Sequence, residues 1–199
     1  GSDTTSGVMI LLLYHLLANR ATYDRLMEEL NAHCEKGKIS EDTVFKLPYL
    51  GAVVNEGIRL GTPFPGLPRV VPKGGTVLCG TYIPENTVVS VPAYSQHIHP
   101  DNFWPEPEKF RPERWLPGGL GPRSILRTSA LMSFSYGPFG CLGRTLAIRE
   151  LQILTVYLLR SFDIRLAGSF DEQRFVRGVL NMRTTVFEYP LLVDIQQRV

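Results

Sequence analysis

Between Gly61 and Gly140 the chain has no room for a long helix. Pro63, Pro65, Pro68 and Pro72 alternate with Gly61, Gly66, Gly74 and Gly75, and Pro100, Pro105, Pro107, Pro112, Pro117, Pro122 and Pro138 break up Tyr94 to Gly140. Each proline lacks a backbone N–H and fixes φ, so the helical ladder fails wherever one falls. Helices therefore belong at the two ends. Met9, Leu12, Leu13, Leu16 and Leu17 recur at three-to-four spacing and predict a first helix with a strongly apolar face. Tyr23 to Ala32 predicts a second, and Pro48, suited to a first turn, opens a third through Leu50, Val53, Val54, Gly57 and Ile58 to about Leu60. In the middle, Arg69-Val70-Val71, Thr76-Val77-Leu78 and Thr87 to Val91 are β-branched runs between Gly and Pro, and predict strands of a small sheet. A helix predicted from Leu142 carries Ala147, Leu151, Leu154 and Leu158 on one face, and runs around Phe162 to Leu166 and Tyr189 to Ile195 predict closing strands. No linker divides the chain. Residues 1–199 read as one domain of α+β character, mainly α, whose long irregular region from Tyr94 to Gly140 points to function.

Charge and cysteine usage narrow the classes. The 21 basic and 19 acidic residues leave a net charge of +2, which offers no footprint for nucleic acid or an anionic membrane. Cys34, Cys79 and Cys141 are odd in number and widely spaced, fitting neither a disulfide framework nor a CxxC-type zinc site, so a reduced, cytosol-facing protein is expected. The start, Gly1-Ser2-Asp3, has no features of a signal peptide and reads as the beginning of a piece of something longer. Thr4 to Asn19 is uncharged if His15 is neutral, but falls short of the ~20 apolar residues of a bilayer span, so it reads as a core helix. Any membrane anchor is expected upstream.

The loudest segment chemically is Phe134-Ser135-Tyr136-Gly137-Pro138-Phe139-Gly140-Cys141-Leu142-Gly143, set directly before the Leu142 helix. Glycines at 137, 140 and 143 allow positive φ and close backbone approach to a flat ligand. At a helix N-terminus, Cys141 meets the positive end of the macrodipole and free N–H groups, which favour thiolate over thiol. The competing reading is a buried structural cysteine after a Gly-rich turn; a cysteine nucleophile is the weaker rival, since no His lies nearby in sequence. His15, His33, His97 and His99 read as surface or core residues. The pattern F-x-x-G-x-x-x-C-x-G resembles the loop of the cytochrome P450 family, and the whole chain resembles the C-terminal, haem-binding part of that fold.

Three further motifs occur in that family's order. Glu56 and Arg59 lie three apart and so share a helix face. Phe110-Arg111-Pro112-Glu113-Arg114-Trp115 resembles the family segment that supplies a third member, which implies that Glu56, Arg59 and Arg114 tie the irregular loop to the helix. Leu67-Pro68-Arg69 and Gly80 to Pro84 resemble the sheet that follows, which implies that Arg69 meets a haem propionate; a solvent-facing arginine at a strand edge is the alternative. Gly1 to Thr5 resembles the end of the motif A-G-x-[DE]-T, implying a proton relay at a helix break with Asp3 as acid and Thr4 as hydroxyl donor. Without the resemblance these are ordinary N-cap residues. Phe139 departs from the pattern, standing where the family commonly has Arg or His, and so removes one propionate contact.

The resemblance implies haem b, iron protoporphyrin IX, ligated by Cys141, with Phe134, Gly137, Phe139 and Gly143 around it. It implies a monooxygenase that takes electrons from an NADPH-dependent reductase and places one atom of O2 into an apolar small molecule. Gly61 to Leu67 and Phe175 to Asn181 are its implied substrate-facing loops. The style of Pro112 to Trp115 leans towards fungal members, and the implied setting is the endoplasmic reticulum membrane with this domain facing the cytosol. Turnover by residues 1–199 alone is not expected. A P450-like peroxide isomerase or dehydratase, which can dispense with the acid and alcohol pair, and a cofactor-free module that kept the fold are the alternatives.

Overall fold

A computed structural model describes residues 2–34, 40–64, 66–180 and 187–198. Helix α1 (Ser2–Ala18) runs into α2 (Arg20–His33) across the single residue Asn19, whose side chain caps α2 by accepting from the Thr22 N–H at 3.2 Å. After α3 (Glu41–Val44), helix α4 (Pro48–Leu60) begins with proline at its first position. Its orphan N–H groups are satisfied by a neighbour: Glu29 of α2 accepts from the N–H groups of Tyr49 and Leu50, each at 2.8 Å. α4 is buried almost all round, and α1, α2 and later α6 (Arg144–Ser161) pack on it.

Within α1 the core-facing residues include Val8, Met9, Leu11, Leu12 and Leu16, while Leu13 and Leu17, expected among them, are only partly buried. At Gly57 the two helices come close: a Cβ there would lie 2.8 Å from Leu12 Cδ1 and 3.0 Å from Leu12 Cβ. The α6 helix starts at Arg144, two residues later than its apolar spacing predicts, with Gly143 as N-cap. Its buried face is Leu151, Gln152, Thr155, Val156 and Leu159, and Leu154, placed on the core face by sequence, is 44% exposed.

The middle of the chain forms separate antiparallel pairs instead of one small sheet. β1 (Arg69–Val70) pairs with β4 (Val88–Val89), and β2 (Thr76–Leu78) with β3 (Thr81–Ile83). The β2–β3 connection is Cys79-Gly80, both at positive φ (49° and 80°), the conformation of the tightest hairpin turn. After α5 (Ala93–His97), β5 (Phe103–Trp104) pairs with β6 (Ile125–Leu126), a link between residues that sequence reading left irregular. β7 (Phe162–Leu166) and β8 (Val193–Gln197) close the described chain in register Ile164 opposite Ile195.

One expectation is overturned outright. Phe175 does not sit in a substrate-facing loop: Glu172–Leu180 is helix α7, and Phe175 is buried with its ring 4.9 Å from that of Tyr14. The Tyr14 hydroxyl donates to Glu172 at 2.9 Å, so α7 is tied to α1 by both packing and a polar contact. Asn181, the end of the expected loop, lies outside the described residues.

Because the α1–α4 approach depends on the missing side chain at Gly57, Gly57→Ala is expected to destabilise the fold by about 1–3 kcal/mol through overpacking. The urea midpoint of variant against parent measures this, and an unchanged midpoint would mean that Leu12 yields freely.

Candidate functional site

Three charges expected to meet do so in the interior. Glu56 and Arg59 are wholly buried, and Arg114 is 2% exposed. Arg59 grips Glu56 with two hydrogen bonds, Nε to Oε2 at 2.8 Å and Nη2 to Oε1 at 2.7 Å, the fork geometry that lysine cannot reproduce. Arg114 Nε reaches Glu56 Oε1 at 3.3 Å. The carboxylate also accepts from the Arg111 N–H at 2.9 Å and the Trp115 indole at 2.9 Å. Burial alone would push the Glu56 carboxyl up, but Arg59, with Arg114 and the Arg111 N–H, holds it below the usual carboxylate range.

The free ends of the two guanidinium groups bind backbone. Arg59 Nη1 donates to the carbonyls of His97 at 2.6 Å and Pro107 at 2.5 Å, and Arg114 Nη2 to those of Pro105 at 3.1 Å and Glu106 at 3.0 Å. Arg114 Nη1 is buried and has no hydrogen-bond partner among the described residues.

His97, which sequence reading left without a role, continues the network. Its ring is fully buried; Nε2 accepts from the Met132 N–H at 2.8 Å, so Nδ1 carries the proton and donates to the Arg59 carbonyl, also at 2.8 Å. Ser133 adds a hydrogen bond from Oγ to the Ile58 carbonyl at 3.0 Å. Both contacts fasten the segment entering the cysteine loop to α4. Nothing in the sequence marked His97 or Ser133, because their partners lie 35 to 75 residues away.

The loop itself closes when the Cys141 N–H donates to the Phe134 carbonyl at 2.8 Å. Of its glycines, Gly137 uses positive φ (66°), whereas Gly140 (φ −57°) and Gly143 (φ −81°) do not, and the other left-handed residue is Ser135 (φ 57°). An open cavity of about 300 Å³ lies beside the loop. Cys141, Phe134, Ser135, Phe139 and Gly143 line it, together with Leu146 and Ala147 of α6, Pro63, Phe64 and Leu67 of the segment after α4, and Thr4, Thr5 and Val8 of α1. Thr4 and Cys141 are thus brought to one space. Asp3 is exposed in the first turn of α1, outside the cavity wall, and accepts from the Ser2 hydroxyl at 3.2 Å. α1 is continuous from Ser2, so no helix break separates Asp3 from Thr4. Arg69 is half-buried against the wall, donating from Nη2 to Ser135 Oγ at 3.0 Å.

The wall suits a largely apolar group that carries its own metal, with Glu150 the one charged residue on it among the described residues. It offers one soft donor, Cys141 sulfur, among Val8, Ile58, Leu67, Phe134, Leu146 and Ala147. Among the described residues no group of three His, Cys, Asp or Glu side chains could hold a bare ion, so an iron at Cys141 would rely on ligands it brings with it, as in a porphyrin.

The family model described as Cytochrome P450 matches residues 1–185. The chain is 40% identical over 182 residues to cytochrome P450 monooxygenase hepC of Aspergillus oryzae, which covers 87% of this chain and 35% of that protein. It is 39% identical over 168 residues to cytochrome P450 monooxygenase efuB of Hormonema carpetanum (83% and 33%), and 33% over 198 residues to cytochrome P450 monooxygenase cloA of Claviceps purpurea (98% and 38%). It spans about a third of the length of these relatives.

Burial, aided by the charge of Arg59, lowers the His97 pKa from 6.5 to about 4 against the opposing hydrogen bond to the Arg59 carbonyl. The unfolded chain therefore binds a proton that the folded chain refuses between these values, and stability present above pH 6.5 is lost as pH falls towards 4, by ~3 kcal/mol in full. His97→Gln, which can still donate and accept but does not titrate, is expected to flatten that part of the stability–pH curve. Denaturant midpoints from pH 7 to 4 read it out, and an unaltered slope would exclude His97 as the source.

Proposed function

The chain belongs to the cytochrome P450 family, and from that premise we propose that it forms the haem-binding part of a haem-thiolate monooxygenase with Cys141 as the axial ligand to haem b. The observation that carries the reading is the meeting of Cys141 and Thr4 on the wall of one apolar cavity, 137 positions apart in sequence. When bound, haem supplies the oxygen chemistry, since thiolate ligation pushes electron density towards the O–O bond.

This chain's residues then have separable tasks. Cys141 presents sulfur, held by the hydrogen bond from its N–H to the Phe134 carbonyl. Gly137 takes the left-handed turn that a β-carbon would strain, and Gly143 starts α6 beside the sulfur without adding bulk. Phe134, Leu67 and Leu146 give the cavity an apolar wall for the flat face of the cofactor. The Thr4 hydroxyl holds a proton at the cavity, and the exposed Asp3 carboxyl, one residue away in the same helical turn, exchanges it with solvent. Arg69 offers a cation to the cofactor's anionic edge. Glu56, Arg59 and Arg114 touch nothing that reacts; they position the loop.

The substrate is an apolar small molecule, in keeping with Pro63, Phe64 and Leu67 on the cavity wall. O2 and an NADPH-dependent reductase are the other partners. Turnover by residues 1–199 alone is not expected, because the matched relatives are about three times as long. The proposed location of the whole protein is the endoplasmic reticulum membrane, with this domain facing the cytosol. No helix among the described residues is long and apolar enough to cross a membrane.

The deciding measurement is the reduced carbon monoxide difference spectrum of the haem-loaded protein and of Cys141→Ala. A Soret band at the position diagnostic of thiolate ligation, absent from the alanine variant, is expected. Its absence from a folded, haem-loaded parent would remove the haem-thiolate reading. Oxidation of substrate that requires both NADPH and reductase separates monooxygenation from rearrangement of a peroxide.

A further inference from the structure

The departure at Phe139 has a physical counterpart across the loop. No basic side chain lines the cavity among the described residues. The Arg69 guanidinium stands just behind the wall, 4.7 Å over the centroid of the Phe139 ring. It has five N–H donors, of which Nη1 binds the Pro68 carbonyl at 2.9 Å and Nη2 the Ser135 hydroxyl at 3.0 Å. No carboxylate pairs with it among the described residues, in contrast to Arg59, Arg111 and Arg114. Phe139 itself is 67% exposed, so its ring is not in place to fill the core.

We propose that Phe139 is a positioning residue: its ring face and the Ser135 hydroxyl hold the Arg69 guanidinium with its remaining N–H groups presented to an anionic group on the edge of the cavity's ligand, the haem carboxylates. This rests on the haem reading given above. One cation set by an aromatic seat then does the work for which a second basic residue in the loop would otherwise be needed. A guanidinium suits such a seat, because it can stack on a ring and donate in its own plane at once. The replacement of a base by Phe at position 139 and the position of Arg69 are two parts of one arrangement.

The test is the rate at which haem leaves the haem-loaded protein for an excess of apomyoglobin, read from the Soret band, with the reduced carbon monoxide spectrum recorded alongside. Phe139→Leu keeps apolar bulk but removes the ring face, and is expected to speed haem loss roughly two- to fivefold, the range of a surface cation–π contact. Phe139→Tyr keeps the face and is expected to match the parent. Arg69→Ala speeds loss as well, and adding Phe139→Leu to it has no further effect. An unchanged rate in Phe139→Leu, or an equal effect of that change with and without Arg69, overturns the inference while a thiolate spectrum in the parent leaves Cys141 as ligand. A parent that lacks that spectrum takes down both.

Discussion

The architecture depends on one buried carboxylate. Glu56 accepts from two guanidinium groups, an indole and a backbone N–H, with no exposure to water. Such a cluster is poor value as stabilisation, because desolvating the charges costs about as much as their attraction returns, and apolar residues of the same shape often do as well. Its worth lies in what the guanidinium groups do with their other ends. From His97 to Trp115 the chain has only short pieces of regular structure, so its carbonyls have few ladder partners. Those of His97, Pro105, Glu106, Pro107 and Lys109 are taken by Arg59 and Arg114 instead. An irregular segment can be buried only if its polar groups are met, and here two side chains do what a sheet would do.

From that anchor, position is handed to the cysteine loop by short steps. α4 carries Glu56 and Arg59 and also offers the Arg59 and Ile58 carbonyls. His97 and Ser133 bind these, Met132 binds His97, and Phe134 accepts from Cys141. Every step is a hydrogen bond of 3.0 Å or less between groups fixed by backbone or burial. A neutral His97 is required, since Nε2 must accept, and burial enforces that state.

Long helices and the cysteine loop were legible in the sequence because their signals are local: three-to-four spacing, Pro48 at a first turn, glycines around Cys141. The Glu56–Arg59–Arg114 cluster was legible only by resemblance, as E-x-x-R alone describes many solvated helix faces. Two kinds of feature escaped. The loop expected at Phe175 to Asn181 followed from the resemblance alone, although Phe175, Val176, Val179 and Leu180 recur at helical spacing; what buries Phe175 of α7 is a distant partner, Tyr14. Pairing of β5 with β6 joins two-residue stretches about twenty positions apart, too short to carry a period of two. The α6 face was misplaced for a related reason: Leu154 is apolar but exposed, while Gln152 and Thr155 are buried, Thr155 donating its hydroxyl to the Leu151 carbonyl at 2.7 Å. A polar residue that satisfies itself locally can enter a core that composition would deny it.

The three cysteines show how position, and not residue type, selects chemistry. Cys34 lies in the main core, where burial pushes its thiol up, and packing is the role left to it. Cys79 is exposed at the tip of the β2–β3 turn, held at φ 49°, with solvent and no apolar wall around a would-be ligand. Cys141 alone of the three lines the cavity, on a loop whose backbone is fixed by the Phe134 carbonyl and whose entry is fixed to α4. A metal ligand must be reachable, must not wander, and must face a space that can hold the group carrying the metal. Among these thiols the proposed axial ligand is the one that meets all three conditions, and it does so because a carboxylate 85 residues earlier in the chain holds the segment that leads to it.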